Sequence, residues 1–226
     1  MDELFENKAY DYDAYNQGLF NAMPEGAACV LEIGCNGGSL GAAYKKANPG
    51  SSYYGVELSK PAAAHAATRL DLVLCGPADE MDLSFLTGKI DCIVYGDVLE
   101  HLVDPWTLLA NHAKLLKKTG VVVASIPNVQ HWTLLDHVLR GQWNYSDYGL
   151  LDNTHLRFFT LNTIHRLFGG AGLKIDKVFG LNAHNEAASR FCEIMRPALQ
   201  ALGIDVAEFL NRTTPLQYVV TASLAD

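Results

Sequence analysis

Apolar residues fall in short runs separated by amphipathic stretches. Seven runs have the length and composition of buried strands: Cys29 to Ile33, Ser52 to Val56, Leu72 to Cys75, Asp91 to Tyr95, Gly120 to Ser125, Leu173 to Phe179 and Gln217 to Ala222. Their alternation with helical segments predicts an α/β fold, a mostly parallel sheet with helices on both faces. One helix is expected from Gly38 to Ala47, where Asn48-Pro49-Gly50 stops it, and another from Pro61 to Leu70 behind the N-cap Ser59. Asp104 and Pro105 open a third, with Leu108, Leu109, His112, Leu115 and Leu116 on one face and Gly120 closing it. Thr160 caps a fourth that turns Leu161, Ile164, Leu167 and Phe168 inward and stops at Gly169-Gly170, and a last runs from Glu186 to Leu202.

The rhythm breaks between Pro127 and Phe159, a stretch rich in aromatics and histidines after the fifth strand. Ligands of open α/β sheets lie beyond the carboxyl ends of the strands, so a long connection there is where a substrate site is expected. The chain of 226 residues, 49% apolar, suits one domain spanning 1–226 with this insertion at 127–159. Seventeen Lys and Arg against 25 Asp and Glu give a net charge of -8 without basic runs, which argues against nucleic acid as a partner. The five cysteines form no CxxC pair and read as reduced thiols. No stretch reaches the roughly 18 apolar residues of a membrane span, and Met1 to Lys8 is acidic rather than a leader, so a cytoplasmic protein is expected. No group of His, Asp and Glu has metal-ligand spacing, so no metal is expected. Oligomeric state stays open, with a homodimer among the possibilities.

The strongest chemical signal runs from Val30 through Glu32, Gly34, Asn36 and Gly38 to Leu40: an apolar strand, a glycine-rich turn and a helix start. Glycine permits positive φ and close backbone approach, and a helix start offers unpaired N–H groups, a combination suited to a nucleotide-like ligand. Glu57 closes the second strand about 20 residues on, where a ribose-binding acid belongs. Taken singly, each feature has a structural alternative: a packing turn, or a solvated charge at a helix start. The loop lacks full GxGxxG spacing, which weakens a nicotinamide cofactor.

Val30 to Leu40, Gly55 to Leu58 and Asp91 to Pro105 (DCIVYGDVLEHLVDP) resemble the class I S-adenosylmethionine-dependent methyltransferases. Together with Ser125 to Asn128, His131-Trp132 and Tyr148 to Thr160, they look like a bacterial subgroup associated with polysaccharide and glycosyltransferase genes. The likeness covers about residues 10 to 180. It implies a Rossmann-like, doubly wound seven-stranded sheet in the order 3-2-1-4-5-7-6 with the last strand antiparallel. It further implies that Glu32, Gly34, Asn36 and Gly38 shape the pocket for the methionine part and that Glu57 holds the ribose hydroxyls. Leu58 would lie against the adenine, Ala78 and Asp79 would meet its edge, and Asp97 would sit near the reacting methyl. The family's central loop glycine is Asn36 here, a residue that enters the left-handed region readily. Its usual acid after the third strand is Pro77, so Asp79 is left to take that place.

Methyl transfer from a sulfonium needs alignment and exclusion of water, and a hydroxyl acceptor benefits from a base near neutral pKa. His155, His131 and His101 are the candidates; each has a structural alternative as a helix-end or buried histidine. His137, His112 and His165 read as structural. Arg157, alternating with His155 along an expected strand, and Trp132, Trp143, Tyr145 and Tyr148 are candidates for the acceptor site, or else the core of a lid. Tyr10, Tyr12 and Tyr15 belong to an acidic helix that, in the resembling family, folds over the cofactor. The leading expectation is S-adenosylmethionine-dependent O-methylation of a sugar, a glycan end or a small polar metabolite, releasing S-adenosylhomocysteine. Methylation of a natural-product or quinone-like ring, a cofactor-binding accessory protein without catalysis, and a nicotinamide-dependent oxidoreductase are the alternatives.

Overall fold

A computed structural model describes residues 12–181 and 186–225. Seven strands, β1 (Cys29–Ile33), β2 (Ser52–Glu57), β3 (Leu72–Cys75), β4 (Ile90–Gly96), β5 (Leu116–Pro127), β6 (Leu173–Leu181) and β7 (Gln217–Leu224), form one sheet in the order β3-β2-β1-β4-β5-β7-β6. β7 runs antiparallel to both β5 and β6, and the other pairings are parallel. The helices are α1 (Gln17–Ala22), α2 (Ser39–Ala47), α3 (Lys60–Ala66), α4 (Pro105–Ala113), α5 (Trp132–Leu139), α6 (Leu161–Gly170), α7 (Glu186–Ala201) and α8 (Val206–Thr213).

Strand side chains alternate between two cores, as a period of two requires. Leu31, Ile33, Ile93, Tyr95, Val122 and Ala124 point to the face covered by α4 and α6, where Leu108, Leu109, Ile164, Leu167 and Phe168 are buried. Val30, Cys92, Val94 and Val123 point to the other, against Leu19, Met23, Leu40 and Tyr44 of the α1 and α2 side. The caps expected from sequence are made: Ser59, Asp104 and Thr160 accept from the backbone amides of Ala62, Thr107 and Thr163.

Several boundaries differ. The helix after Asp104 stops at Ala113, and the chain turns so that Leu116 already opens β5; Gly120 lies inside this strand rather than at a helix end. A Cβ on Gly120 would lie 2.7 Å from the carbonyl oxygen of Ile90, beside a shift in the β4–β5 register, so close backbone approach explains this glycine. α3 ends at Ala66, four residues before the expected Leu70. Residues 12–16 precede α1 without being helical; Tyr10 lies outside the described residues. That segment is strapped down, with Arg69 donating to the Tyr12 carbonyl at 2.7 Å and Ser39 Oγ to the Ala14 carbonyl at 2.7 Å. No helix among the described residues is long and apolar enough to cross a membrane.

The insertion contains α5 and then an irregular path. The anchor at its base is Asn128, fully buried, whose Nδ2 donates to the carbonyls of Arg212 and Pro215 at 2.8 Å each, while Oδ1 accepts from Gln130 N. One side chain thereby joins the end of β5 to the turn between α8 and β7 and sets where the insertion departs.

Candidate active site

Where β1 meets α2, Gly34, Asn36 and Gly38 have φ of 72°, 45° and 76°. Alternate left-handed residues fold the backbone into a tight cradle, and Gly34 N and Cys35 N donate to Val56 O at 2.8 and 3.1 Å, fixing it to β2. A Cβ on Gly34 would lie 2.5 Å from Val98 Cγ2. The expected tolerance of Asn at the central loop position is met by its left-handed φ. Asn36 N donates to Glu57 Oε2 and Ser59 N to Glu57 Oε1, both at 2.8 Å, so the carboxyl of Glu57 is aimed along the cradle. Burial raises the Glu57 pKa, against the lowering effect of these amides.

Glu32, 5% exposed, lies in β1 just before the cradle and accepts from Tyr53 Oη at 3.0 Å. Burial pushes its carboxyl from 4.5 up to about 8, the Tyr53 bond opposing. Neutral Glu32 therefore contributes its stability in full below about pH 4.5, less as pH rises, and nothing once pH has passed about 8. The melting temperature of the cofactor-free protein should fall relative to Glu32→Gln across that window. Parallel profiles for the two proteins from pH 5 to 9 would show that Glu32 is ionised throughout.

Asp97 follows β4 in a left-handed conformation, φ 54°, rare for a residue with a side chain. Its amide donates to Ser125 Oγ at 3.2 Å and its Oδ1 accepts from Gln217 Nε2 at 2.7 Å, so β5 and β7 both hold it. Burial raises its pKa to about 6, against the effect of Ser125. Val98, the next residue, covers Gly34, which places the end of β4 against the cradle. Leu58 is half-buried at the end of β2. Ala78 and Asp79, after β3, line a cavity of about 420 Å³ shared with Met81, Leu83, Thr107 and Asn111, on the α4 side and apart from the cradle's glycines.

The histidines separate into two groups. His131, 7% exposed, occupies the N-cap position of α5 without a side-chain bond to the helix amides and pairs its Nδ1 with Thr133 Oγ1 at 2.8 Å; burial lowers its pKa, so it is neutral near pH 7. His101 and His155 come together, ring centroids 4.8 Å apart, although 54 residues separate them in the chain. They meet because the insertion docks on the short turn Leu99–His101, with Leu156 N and Arg157 N donating to the Glu100 carbonyl at 2.8 and 2.9 Å. The expected strand through His155 and Arg157 does not form: His155 N donates to Asp152 O, and Leu156 N and Arg157 N share the Glu100 carbonyl rather than pairing with a neighbouring strand. Arg157 stacks on Trp106 at 5.7 Å and donates to Val103 O.

Of the residues expected at the acceptor site, Trp132 tilts against Phe191 at 6.0 Å, and its buried Nε1 has no hydrogen-bond partner among the described residues. Tyr145 and Tyr148 are exposed, and Trp143 packs edge-on to Phe158. Glu100, buried within Val98-Leu99-Glu100-His101, was not singled out from the sequence; an acid inside an apolar run was the available signal. Ser125 and Gln217 read from the sequence only as a strand end and a strand start; their link to Asp97 exists only through the sheet.

A family described as a methyltransferase domain matches residues 8–178. The chain belongs to this family of methyltransferases. S-adenosylmethionine is accordingly the methyl donor, and the nicotinamide alternative loses its support. Among curated relatives, a ubiquinone biosynthesis O-methyltransferase of Thiobacillus denitrificans is 27% identical over 159 residues, 67% of each chain. One of the same name from Caulobacter vibrioides is 34% identical over 104 residues, 44% of this methyltransferase and 40% of the relative. Among solved structures, a SAM-dependent methyltransferase from Archaeoglobus fulgidus superposes with a TM-score of 0.62 at 18% identity, covering 88% of this chain and 87% of that one.

Proposed function

We propose that this methyltransferase moves a methyl group from S-adenosylmethionine to a hydroxyl oxygen of a small, ring-bearing acceptor, in first place a sugar or glycan end. The observation that supports it is that the Gly34–Gly38 cradle held by Glu57, the left-handed Asp97 and the buried, neutral His131 follow the carboxyl ends of the neighbouring strands β1, β4 and β5. The cofactor supplies a methyl carbon already activated by its sulfonium. Gly34, Asn36 and Gly38 receive its methionine part with Glu32 behind them, Glu57 takes the ribose hydroxyls, and Leu58, Ala78 and Asp79 flank the base. Asp97, left-handed and braced by Gln217, borders the space where the methyl and the acceptor meet.

The acceptor oxygen forms the new bond to the methyl carbon as the carbon–sulfur bond breaks. The electron pair stays on sulfur, giving S-adenosylhomocysteine. The hydroxyl proton passes to His131 Nε2 in the tautomer whose Nδ1–H donates to Thr133 Oγ1, 2.8 Å away. The Nε1–H of Trp132, without a partner among the described residues, offers the acceptor a buried donor, and the exposed rings of Trp106, Trp143, Tyr145 and Tyr148 offer apolar faces for a sugar. The described cysteines are all unpaired, in keeping with a cytoplasmic enzyme.

Calorimetric titration with S-adenosylmethionine, S-adenosylhomocysteine and NAD, followed by transfer of labelled methyl to sugars and to catechols, tests the reading. Saturable binding of the first two, and label on a sugar oxygen, is the expected result. Label on catechols alone would favour the second reading, a quinone-type ring, to which the names of the two curated relatives point. Label on nitrogen or carbon would overturn O-methylation.

A further inference from the structure

We propose that Glu100, His101 and His155 form a binding site for one divalent transition-metal ion. One ligand atom from each residue lies within 4.8 Å of the others, and Glu100 Oε1 stands 3.9 Å from His155 Nε2. Two ligands bonded to one ion at about 2.0–2.1 Å are roughly 3.3–4.1 Å apart, so the set closes on an ion with small side-chain rotations.

The tautomers suit it. His155 Nδ1 lies 3.2 Å from Leu150 O, and His101 Nδ1 lies 3.1 Å from Thr154 O. A carbonyl only accepts, so each Nδ1 carries the hydrogen and each Nε2 presents a lone pair. Thr154 Oγ1, also 3.1 Å from His101 Nδ1, donates to Asp152 Oδ1 at 2.6 Å, a second layer of the kind that orients metal-bound imidazoles.

The second observation is Glu100 itself. It is 1% exposed, and among the described residues neither carboxyl oxygen has a hydrogen-bond partner. An orphaned buried carboxyl is costly, and Asp97 and Asp152 add negative potential at the same place. The position calls for a cation. Two nitrogens and one oxygen select Zn²⁺, Mn²⁺ or Fe²⁺ over Mg²⁺ and Ca²⁺, which favour oxygen. Three ligands leave coordination positions for water or for an acceptor hydroxyl, whose proton the ion would loosen before His131 takes it. That use rests on the proposed O-methyl transfer; the binding itself does not.

Protein freed of metal by chelation should bind Zn²⁺ or Mn²⁺ at one equivalent by calorimetry and ignore Mg²⁺. Glu100→Gln and His155→Ala should each weaken binding at least tenfold, while His165→Ala, on the exposed face of α6, should leave it unchanged. S-adenosylmethionine titration of the same samples reports whether each variant is folded and tests the methyltransferase reading separately. Absorption bands of bound Co²⁺ in the unmodified protein report nitrogen ligation without any substitution. Absence of saturable Zn²⁺ or Mn²⁺ binding, binding of Mg²⁺ alone, or affinity indifferent to both substitutions overturns the site.

Discussion

His131→Ala should lower kcat by on the order of 10²-fold, the usual contribution of a positioned general base, and leave S-adenosylmethionine affinity within about twofold. His131 occupies the N-cap position of α5 at the start of the insertion, only six residues beyond Ser125, whose hydroxyl accepts from the Asp97 amide. Because burial holds its pKa below 6.5, the acid limb of the rate profile belongs below that pH, and the rate should be flat through neutrality. Loss of the limb together with the rate in His131→Ala identifies the base. A variant as fast as the parent would show that His131 is not the base.

Gly34→Val should weaken S-adenosylmethionine binding by on the order of 10²-fold. Two effects combine at this residue. Its φ of 72° strains any side chain by about 1–2 kcal/mol, more for a β-branched one, and its Cβ would meet Val98 Cγ2 at 2.5 Å. Relief of both requires the cradle to move, and the cradle is held through Val56 O and through Glu57. Displacing it takes the backbone amides away from the ligand. Calorimetry measures the loss, and circular dichroism checks that the sheet survives. Affinity within threefold of the parent would mean that the cofactor does not approach Gly34.

The expected cofactor cradle was legible because it is local. Strand, glycine turn, helix start and the acid Glu57 lie within Val30 to Glu57, and each step follows from φ preferences and unpaired amides. The stretch 127–159, where an acceptor site is expected, was legible as a break in the strand–helix rhythm, but not in its detail. A strand was expected through His155 and Arg157 because alternation along the chain is a local pattern. It does not form because Leu156 and Arg157 find the Glu100 carbonyl, a partner that periodicity does not show.

The sequence by itself determined the seven strands, the caps at Ser59, Asp104 and Thr160, the glycine cradle and the place of Glu57. These depend on period, dihedral preference and short-range hydrogen bonds, all written within a few residues. Only the tertiary structure decided that Gln217 braces Asp97, that Asn128 ties the insertion to the turn before β7, and that His155 joins Glu100 and His101. Each joins residues more than 50 positions apart, and the sheet order, not any local preference, sets which of them meet.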